Sequence, residues 1–284
     1  MIAWKDSIDP DNILNVYLRG IVACKKACSE ESCKNLLFVF LAAVERWPQG
    51  NYGIVSREKC PKGWFEFTHC QDTENNNNED NYANFELALT ENSLRCDGTS
   101  FTIRYCFKGP EIETRQGGFW TKAGKDGSAF VIRNVQGDCS VFGGNGGSVD
   151  IDNEDSDNKN AFGNSGLNAK KYNNYYPRGF KFGRNTHLEF CKIGGPKSGA
   201  LTDYIEIGEF NQKFGFFVVP GQKCPKLKSP HGILKGSPQN FSLDDEDNNN
   251  ENKMDGGAPV NVGRNSKWSV CVYDPTKGKQ VSSY

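Results

Sequence analysis

GRNTHLEFC, residues 183–191, has two counterparts in the same chain: GTSFTIRYC at 98–106 and GRNSKWSVC at 263–271. Each opens on glycine and closes on cysteine at the same distance. Three residues before the cysteine stand Ile103, Leu188 and Trp268, and one before it stand Tyr105, Phe190 and Val270. The cysteine and these two positions are expected to share one face of a period-2 pattern. Each nonapeptide therefore reads as a turn followed by a half-buried strand.

Working outward, NYGIVSREKC (51–60), FVIRNVQGDC (130–139) and FFVVPGQKC (216–224) each give a short apolar strand, a polar turn and a cysteine. The intervals from these cysteines to those of the nonapeptides are 46, 52 and 47 residues. That regularity predicts three equivalent bridges, Cys60–Cys106, Cys139–Cys191 and Cys224–Cys271. Bridges over loops of this size typically stabilise by about 2–4 kcal/mol each. The first unit carries a further pair, Cys70 and Cys96.

Between the paired cysteines of every unit lies one acidic-amide run: DTENNNN (72–78), DNEDSDN (152–158) and DDEDNNN (244–250). Alone, such a run reads as a linker, because it cannot bury apolar surface. Its recurrence in register with the cysteines marks it as a folded element used three times.

The chain has 284 residues, enough for one large β domain or two ordinary ones. Apolar residues make up 36% and charged residues 24%, as in a soluble globular protein somewhat poor in core formers. The net charge of −1 supplies no overall field for nucleic acid or acidic lipid. The 11 cysteines, spread at long intervals without C-x-x-C spacing, point to disulfides and an oxidising compartment. The opening MIAWKDSIDPD has no apolar h-region, so a secreted form is expected to have lost its leader, or more, from this end.

Residues 11–46 read as helix, with Asp11 as N-cap and an apolar stripe of Leu14, Leu18, Ile21 and Val22. A break at SEES precedes a second helix through Leu36–Val44, whose apolar run is too short to span a bilayer. The expected organisation is a helical N-terminal segment over 1–46, a β domain over 47–274 and a tail over 275–284. The three repeats cover about 47–109, 119–194 and 212–274. Cys24, Cys28 and Cys33 are odd in number, so one is free or pairs outside this chain, which offers a route to an oligomer.

In order, cysteines and acidic runs together, these motifs resemble the apextrin C-terminal domain, the ApeC family. WPQGNYGI, CPKGW, QDTE and FTIRYC resemble its first segment. SAFVI, DNEDSDN and GRNTHLEFC resemble its second, and FFVV, DDEDNNN and KWSVCVY its third. The resemblance covers about residues 47–273. It implies a mainly β fold of three pseudo-symmetric disulfide-bonded repeats, β-prism-like, preceded here by the short helical segment. It also implies secretion and recognition of microbial surfaces, peptidoglycan and its muramyl fragments among them, in innate defence. Some relatives join the domain to a perforin-type pore former, where it would target membrane lipid, and others belong to extracellular matrix.

The acidic runs could hold calcium through Asp72, Glu74, Asp152, Glu154, Asp244 and Glu246, because hard cations take clustered oxygens. The EF-hand template fails: counted from Asp245, the third and fifth positions fit, but the twelfth is Gly256. Turns in which Asp and Asn side chains satisfy backbone amides are the preferred reading, since a motif present in every unit favours architecture. No cofactor is expected, and calcium is the one ion the runs could take.

The insertion KKYNNYYPRGFKF in the second unit gathers Lys170, Lys171, Tyr172, Tyr175, Tyr176 and Arg178, flanked by Phe180, Lys181 and Phe182. Aromatic faces suit sugar rings and basic groups suit carboxylate or phosphate, so this is the candidate ligand-binding segment. The alternative is a long surface loop packed on a neighbouring unit.

Catalysis finds no support. GFWTKAGKD is one residue too long for a P-loop and has Asp126 where Ser or Thr belongs. There is no G-x-S-x-G elbow. His69, His187 and His231 are expected to be surface or packing residues. His187 has Thr102 and Lys267 as counterparts and reads as an ordinary exposed position. Asn240 begins an N-x-S sequon. The chain is thus expected to be a secreted recognition domain and not an enzyme. It would bind a microbial cell-wall glycan or membrane lipid, and no nucleic acid.

Overall fold

The computed structural model describes residues 47, 50–61, 63–73, 80–89, 100–108, 121–123, 129–135, 137, 139–142, 146–151, 160–163, 177–178, 185–193, 199–202, 204–208, 210–230, 232–244, 252–263 and 265–276. The helices expected over 11–46 lie outside these residues, as do Cys24, Cys28, Cys33, Cys96 and His231. Residues Glu45–Tyr284 form one compact unit.

The described chain is mainly β. It runs β1 (Tyr52–Ser56), β2 (Trp64–Asp72), β3 (Ser100–Lys108), β4 (Thr121–Ala123), β5 (Ala129–Arg133) and β6 (Gly146–Ile151). Then come β7 (Ala161–Gly163), β8 (Thr186–Lys192), β9 (Gly199–Thr202), β10 (Tyr204–Glu206), β11 (Phe214–Val218) and β12 (Lys226–Ser229). It ends with β13 (Gly232–Lys235), β14 (Ser237–Leu243), β15 (Lys253–Gly256), β16 (Val260–Asn261) and β17 (Ser266–Tyr273). Twelve strands join one sheet; β10, β12 and β13 form a second, and β4 with β9 a third.

Within the large sheet, β1 pairs with β3 and β3 with β2; β5 pairs with β8 and β8 with β6; β11 pairs with β17 and β17 with β14. All these pairs are antiparallel. Each nonapeptide strand, β3, β8 or β17, is therefore the centre of a trio. Its cysteine lies opposite the third residue of the trio's first strand: Ile54↔Cys106, Val131↔Cys191 and Phe216↔Cys271.

The three first strands also pair with one another, each with both of the others. Val55 and Ser56 face Gly215 and Phe214. Ile132 and Arg133 face Gly53 and Tyr52, and Phe217 and Val218 face Phe130 and Ala129. Every contact sets the fourth and fifth residues of one strand against the second and first of another. Strands that pair on both edges and pack on both faces favour apolar residues, and YGIVS, AFVIR and FGFFV are apolar apart from the terminal Ser56 and Arg133.

Alternation along the strands feeds two buried clusters. Val55, Ile132 and Phe217 point into one, together with Phe67, Val149, Phe241 and Trp268. Ile54, Val131 and Phe216 point into the other, which adds Trp47, Trp64, Phe210, Phe214 and Tyr273. Trp47 meets Trp64 edge-on with centroids 4.9 Å apart, and Phe214 stacks on Tyr273 at 5.5 Å. The Tyr273 hydroxyl donates to the Pro225 carbonyl at 2.6 Å, which satisfies its one polar group in the core.

The placement of the cysteines corrects the sequence reading. Ile103, Tyr105, Leu188, Phe190, Trp268 and Val270 all belong to the first cluster, whereas Cys106, Cys191 and Cys271 belong to the second. An odd separation in a period-2 strand reverses the face, so a cysteine cannot share the side of the residue before it. On β3 and β17 both sides are largely buried, more than the expected half-burial, whereas β8 keeps His187, Glu189 and Lys192 only partly buried.

Disulfides join Cys60 to Cys106, Cys139 to Cys191 and Cys224 to Cys271, with Cα–Cα separations of 5.4, 5.2 and 5.4 Å. These are the pairs that the intervals predict. Each ties the turn after a trio's first strand to its central strand. Cys70 is also disulfide-bonded.

Candidate functional site

Each acidic run begins at or just after the end of a flanking strand of its trio, β2, β6 or β14. Of the six carboxylates proposed for calcium, Asp72 and Asp244 are described and both are buried; Glu74, Asp152, Glu154 and Glu246 lie outside the described residues. Beyond each run the chain crosses to a different trio. Asn81 bridges to Ser242, Ala161 pairs with Cys70, and Lys253 pairs with Asp150. In all three cases the crossing residue lies nine after its own run's first Asp. Its partner lies two before the first Asp of the neighbouring run.

Side chains seal two of these crossings. The Asp244 backbone N–H donates to Asp80 Oδ1 at 2.7 Å, and the Thr73 hydroxyl donates to Asp80 Oδ2 at 2.6 Å. At the equivalent place the Asp72 N–H donates to Asn160 Oδ1 at 2.9 Å. Asn160 Nδ2 reaches the Thr186 hydroxyl at 3.2 Å, and that hydroxyl donates to Gln71 Oε1 at 2.8 Å. A carboxylate or amide oxygen placed on a buried backbone amide prevents the cost of leaving that donor unmade. Among the described residues no group of His, Cys, Asp and Glu is arranged to hold a metal.

Of the insertion residues, Lys170, Lys171, Tyr172, Tyr175 and Tyr176 lie outside the described residues. Arg178 is described and is 43% exposed. Its backbone N–H donates to the Arg133 carbonyl at 2.8 Å, and its Nε lies 3.5 Å from Glu189 Oε2. Arg133 Nη1 holds the same oxygen at 2.7 Å. His187 Nδ1 lies 2.6 Å from Asp150 Oδ1, and its Nε2 is 3.9 Å from Glu189 Oε1. Five charged or titratable side chains thus gather on one patch of β5, β6, β8 and the segment at 177–178. His187 is a partly buried member of it, not the ordinary exposed position its sequence counterparts suggest.

His69 is fully buried on β2, with its ring 6.4 Å from that of Tyr105. Burial pushes its pKa down to about 3, opposed by a side-chain hydrogen bond with Gln71. A neutral imidazole packed in this way fills space, as a packing residue should. Asn240 stands exposed on β14, paired with Ser269.

One feature escapes the sequence reading. β12 and β13 form a hairpin with Ser229 opposite Gly232. β10 adds as a parallel third strand. Leu227, Leu234 and Ile205 point into the core. The other face carries Lys226 opposite Lys235, Lys228 opposite Ile233, and Tyr204 beside Lys226. Lys228 Nζ sits 5.0 Å above the Tyr204 ring, a cation–π contact.

Compared with protein-family models, curated proteins and solved structures, the chain matches none.

Proposed function

We propose that the chain is a secreted recognition domain of the ApeC type, built as three pseudo-symmetric β repeats in a β-prism-like arrangement. It binds microbial surface glycans such as peptidoglycan in innate defence. The observation that carries this reading is the repetition of one offset at all three crossings: Asn81↔Ser242, Ala161↔Cys70 and Lys253↔Asp150. The registers among β1, β5 and β11 repeat with the same regularity. A body of this kind presents the same type of rim three times. Polymeric glycan offers the same group many times, and linked weak contacts gain from effective concentration.

Three disulfides suit an oxidising environment outside the cytosol. Among the described residues no helix is long and apolar enough to cross a membrane. The domain acts by binding, not by turnover, and needs no cofactor. Two of the acidic runs have an architectural role at their start, since the amides of Asp72 and Asp244 are capped by side chains of a neighbouring unit.

The test is a pull-down of oxidised protein on insoluble bacterial peptidoglycan, with and without calcium, beside a cellulose control. Retention on peptidoglycan, equal in calcium and in chelator, is the expected result. Retention on both polymers alike, or on neither, overturns the glycan reading.

A further inference from the structure

We propose that Asn240 carries an N-linked glycan, seated on a flank of β14 that the third crossing leaves open. Asn240-Phe241-Ser242 is the only N-x-S or N-x-T triplet in the sequence. The strand registers show what sets its place apart. Thr68, Ser148 and Asn240 each lie four residues before the first Asp of their acidic runs. On one edge they face Arg104, Glu189 and Ser269 of the central strands. On the other edge a crossing strand flanks two of them: Gly163 of β7 pairs with Thr68, and Asp255 of β15 pairs with Ser148. Thr68 is buried and Ser148 half-buried. The third crossing is a single bridge, Asn81↔Ser242. The chain then turns, with the Phe85 N–H donating to the Tyr82 carbonyl at 2.9 Å. Among the described residues no crossing strand pairs beside Asn240, and Asn240 is exposed.

Local packing fixes the direction of the side chain. Phe241 is buried and stacks on Phe85 and Phe101, with centroids 4.6 and 4.8 Å apart. Neighbours in a strand point to opposite faces, so Asn240 points away from that cluster. Ser242 turns its N–H and C=O to Asn81, at 3.1 and 2.9 Å. By the period of two, the backbone groups of Asn240 turn to the same edge. An uncovered edge invites pairing with another chain, and natural proteins cover or blunt such edges. A bulky hydrated glycan on Asn240 would cover this one, as β7 and β15 cover the equivalent edges. The transfer needs a donor oligosaccharide linked through pyrophosphate to a membrane lipid. The anomeric carbon breaks its bond to the pyrophosphate oxygen, which leaves with the electron pair, and bonds to Asn240 Nδ2. A base of the transferase takes the amide proton. The inference rests on the secretory part of the proposed function; the carbohydrate here is attached to the chain, not recognised by it.

The experiment places the whole chain behind a cleavable secretion leader in a eukaryotic cell. Cell lysate and medium are then treated with a peptide N-glycosidase, and residue 240 is read by peptide mapping. The expected result is one enzyme-removable mass increment in the parent, with Asp at position 240 after removal. Asn240→Gln and Ser242→Ala should each lose the increment entirely. Glycan is added before folding is complete, so a variant retained in the cell is read in the lysate as well as in the medium. The enzyme should also release the glycan from native parent without denaturant, because the site is exposed. No increment in the parent overturns the proposal, as does an increment that survives both variants. Release only after unfolding would contradict the open flank and overturn the placement. The leader supplies entry to the secretory route, so a bare Asn240 counts against this site and not against secretion. Peptidoglycan retention, measured separately, reads the glycan-binding proposal by itself.

Discussion

Asp80 accepts the backbone N–H of Asp244 at 2.7 Å across a separation of 164 residues. The same carboxylate accepts the Thr73 hydroxyl, so one side chain ties the end of its own trio to the end of another. Charge-assisted bonds of this kind are each worth about 1.5–3 kcal/mol. Asp80→Ala should therefore destabilise by roughly 2–4 kcal/mol. Asp80→Asn, which keeps one acceptor oxygen, should recover part of the loss. Urea unfolding of the two variants checks this, and equal stability of both with the parent would remove the crossing from the account.

Gly53 leaves no room for a side chain. A Cβ there would lie 2.6 Å from Cε1 of Phe107, whose ring is fully buried. Gly215, at the same place on β11, would meet Val270 Cγ1 at 2.5 Å, whereas β5 accommodates Phe130. Gly53→Ala should cost about 1–3 kcal/mol through overpacking. Its midpoint in guanidinium should fall with little change in slope.

The bridge Cys139–Cys191 closes a span of 52 residues. Replacing both cysteines by serine should cost about 2–5 kcal/mol. Peptide mapping under non-reducing conditions should return Cys60–Cys106 and Cys224–Cys271 unchanged in that variant. A bridge between cysteines of different trios would contradict the pairing.

His69 makes stability depend on pH. Its native pKa, pushed down to about 3, lies below the ordinary value of 6.5 because burial disfavours the imidazolium. The unfolded chain therefore takes up a proton near pH 6.5 that the native chain refuses. The contribution of His69 is fully present above pH 6.5 and is lost as pH falls toward 3. The slope reaches about 1.4 kcal/mol per pH unit at most. Unfolding free energies measured from pH 7 down to pH 4 should fall less steeply in His69→Phe than in the parent.

Much of this was legible in the residues. The three nonapeptides and the three cysteine intervals identified the central strands and their bridges, because glycine, strand alternation and cysteine repeat at fixed spacing. The faces were misread at Cys106, Cys191 and Cys271. Strands buried on both sides look alike on both, so the pattern does not reveal which cluster a residue joins. The acidic runs could be recognised as a recurring element, but not as crossings. Nothing in its neighbourhood of the sequence singles out Asp80, because the backbone amide it accepts lies in another trio. The lysine face was hidden because its strands have only three or four residues each. Within so short a window one leucine among lysines does not establish a period.

The central claim is multivalent recognition of a microbial glycan by a three-unit domain. Calorimetric titration of the oxidised protein with a soluble muramyl peptide tests it most directly. The account predicts saturable binding of more than one fragment per chain, and much tighter retention on the intact polymer than on the fragment. Absence of heat and of retention would contradict it, and so would a single site with no gain in avidity.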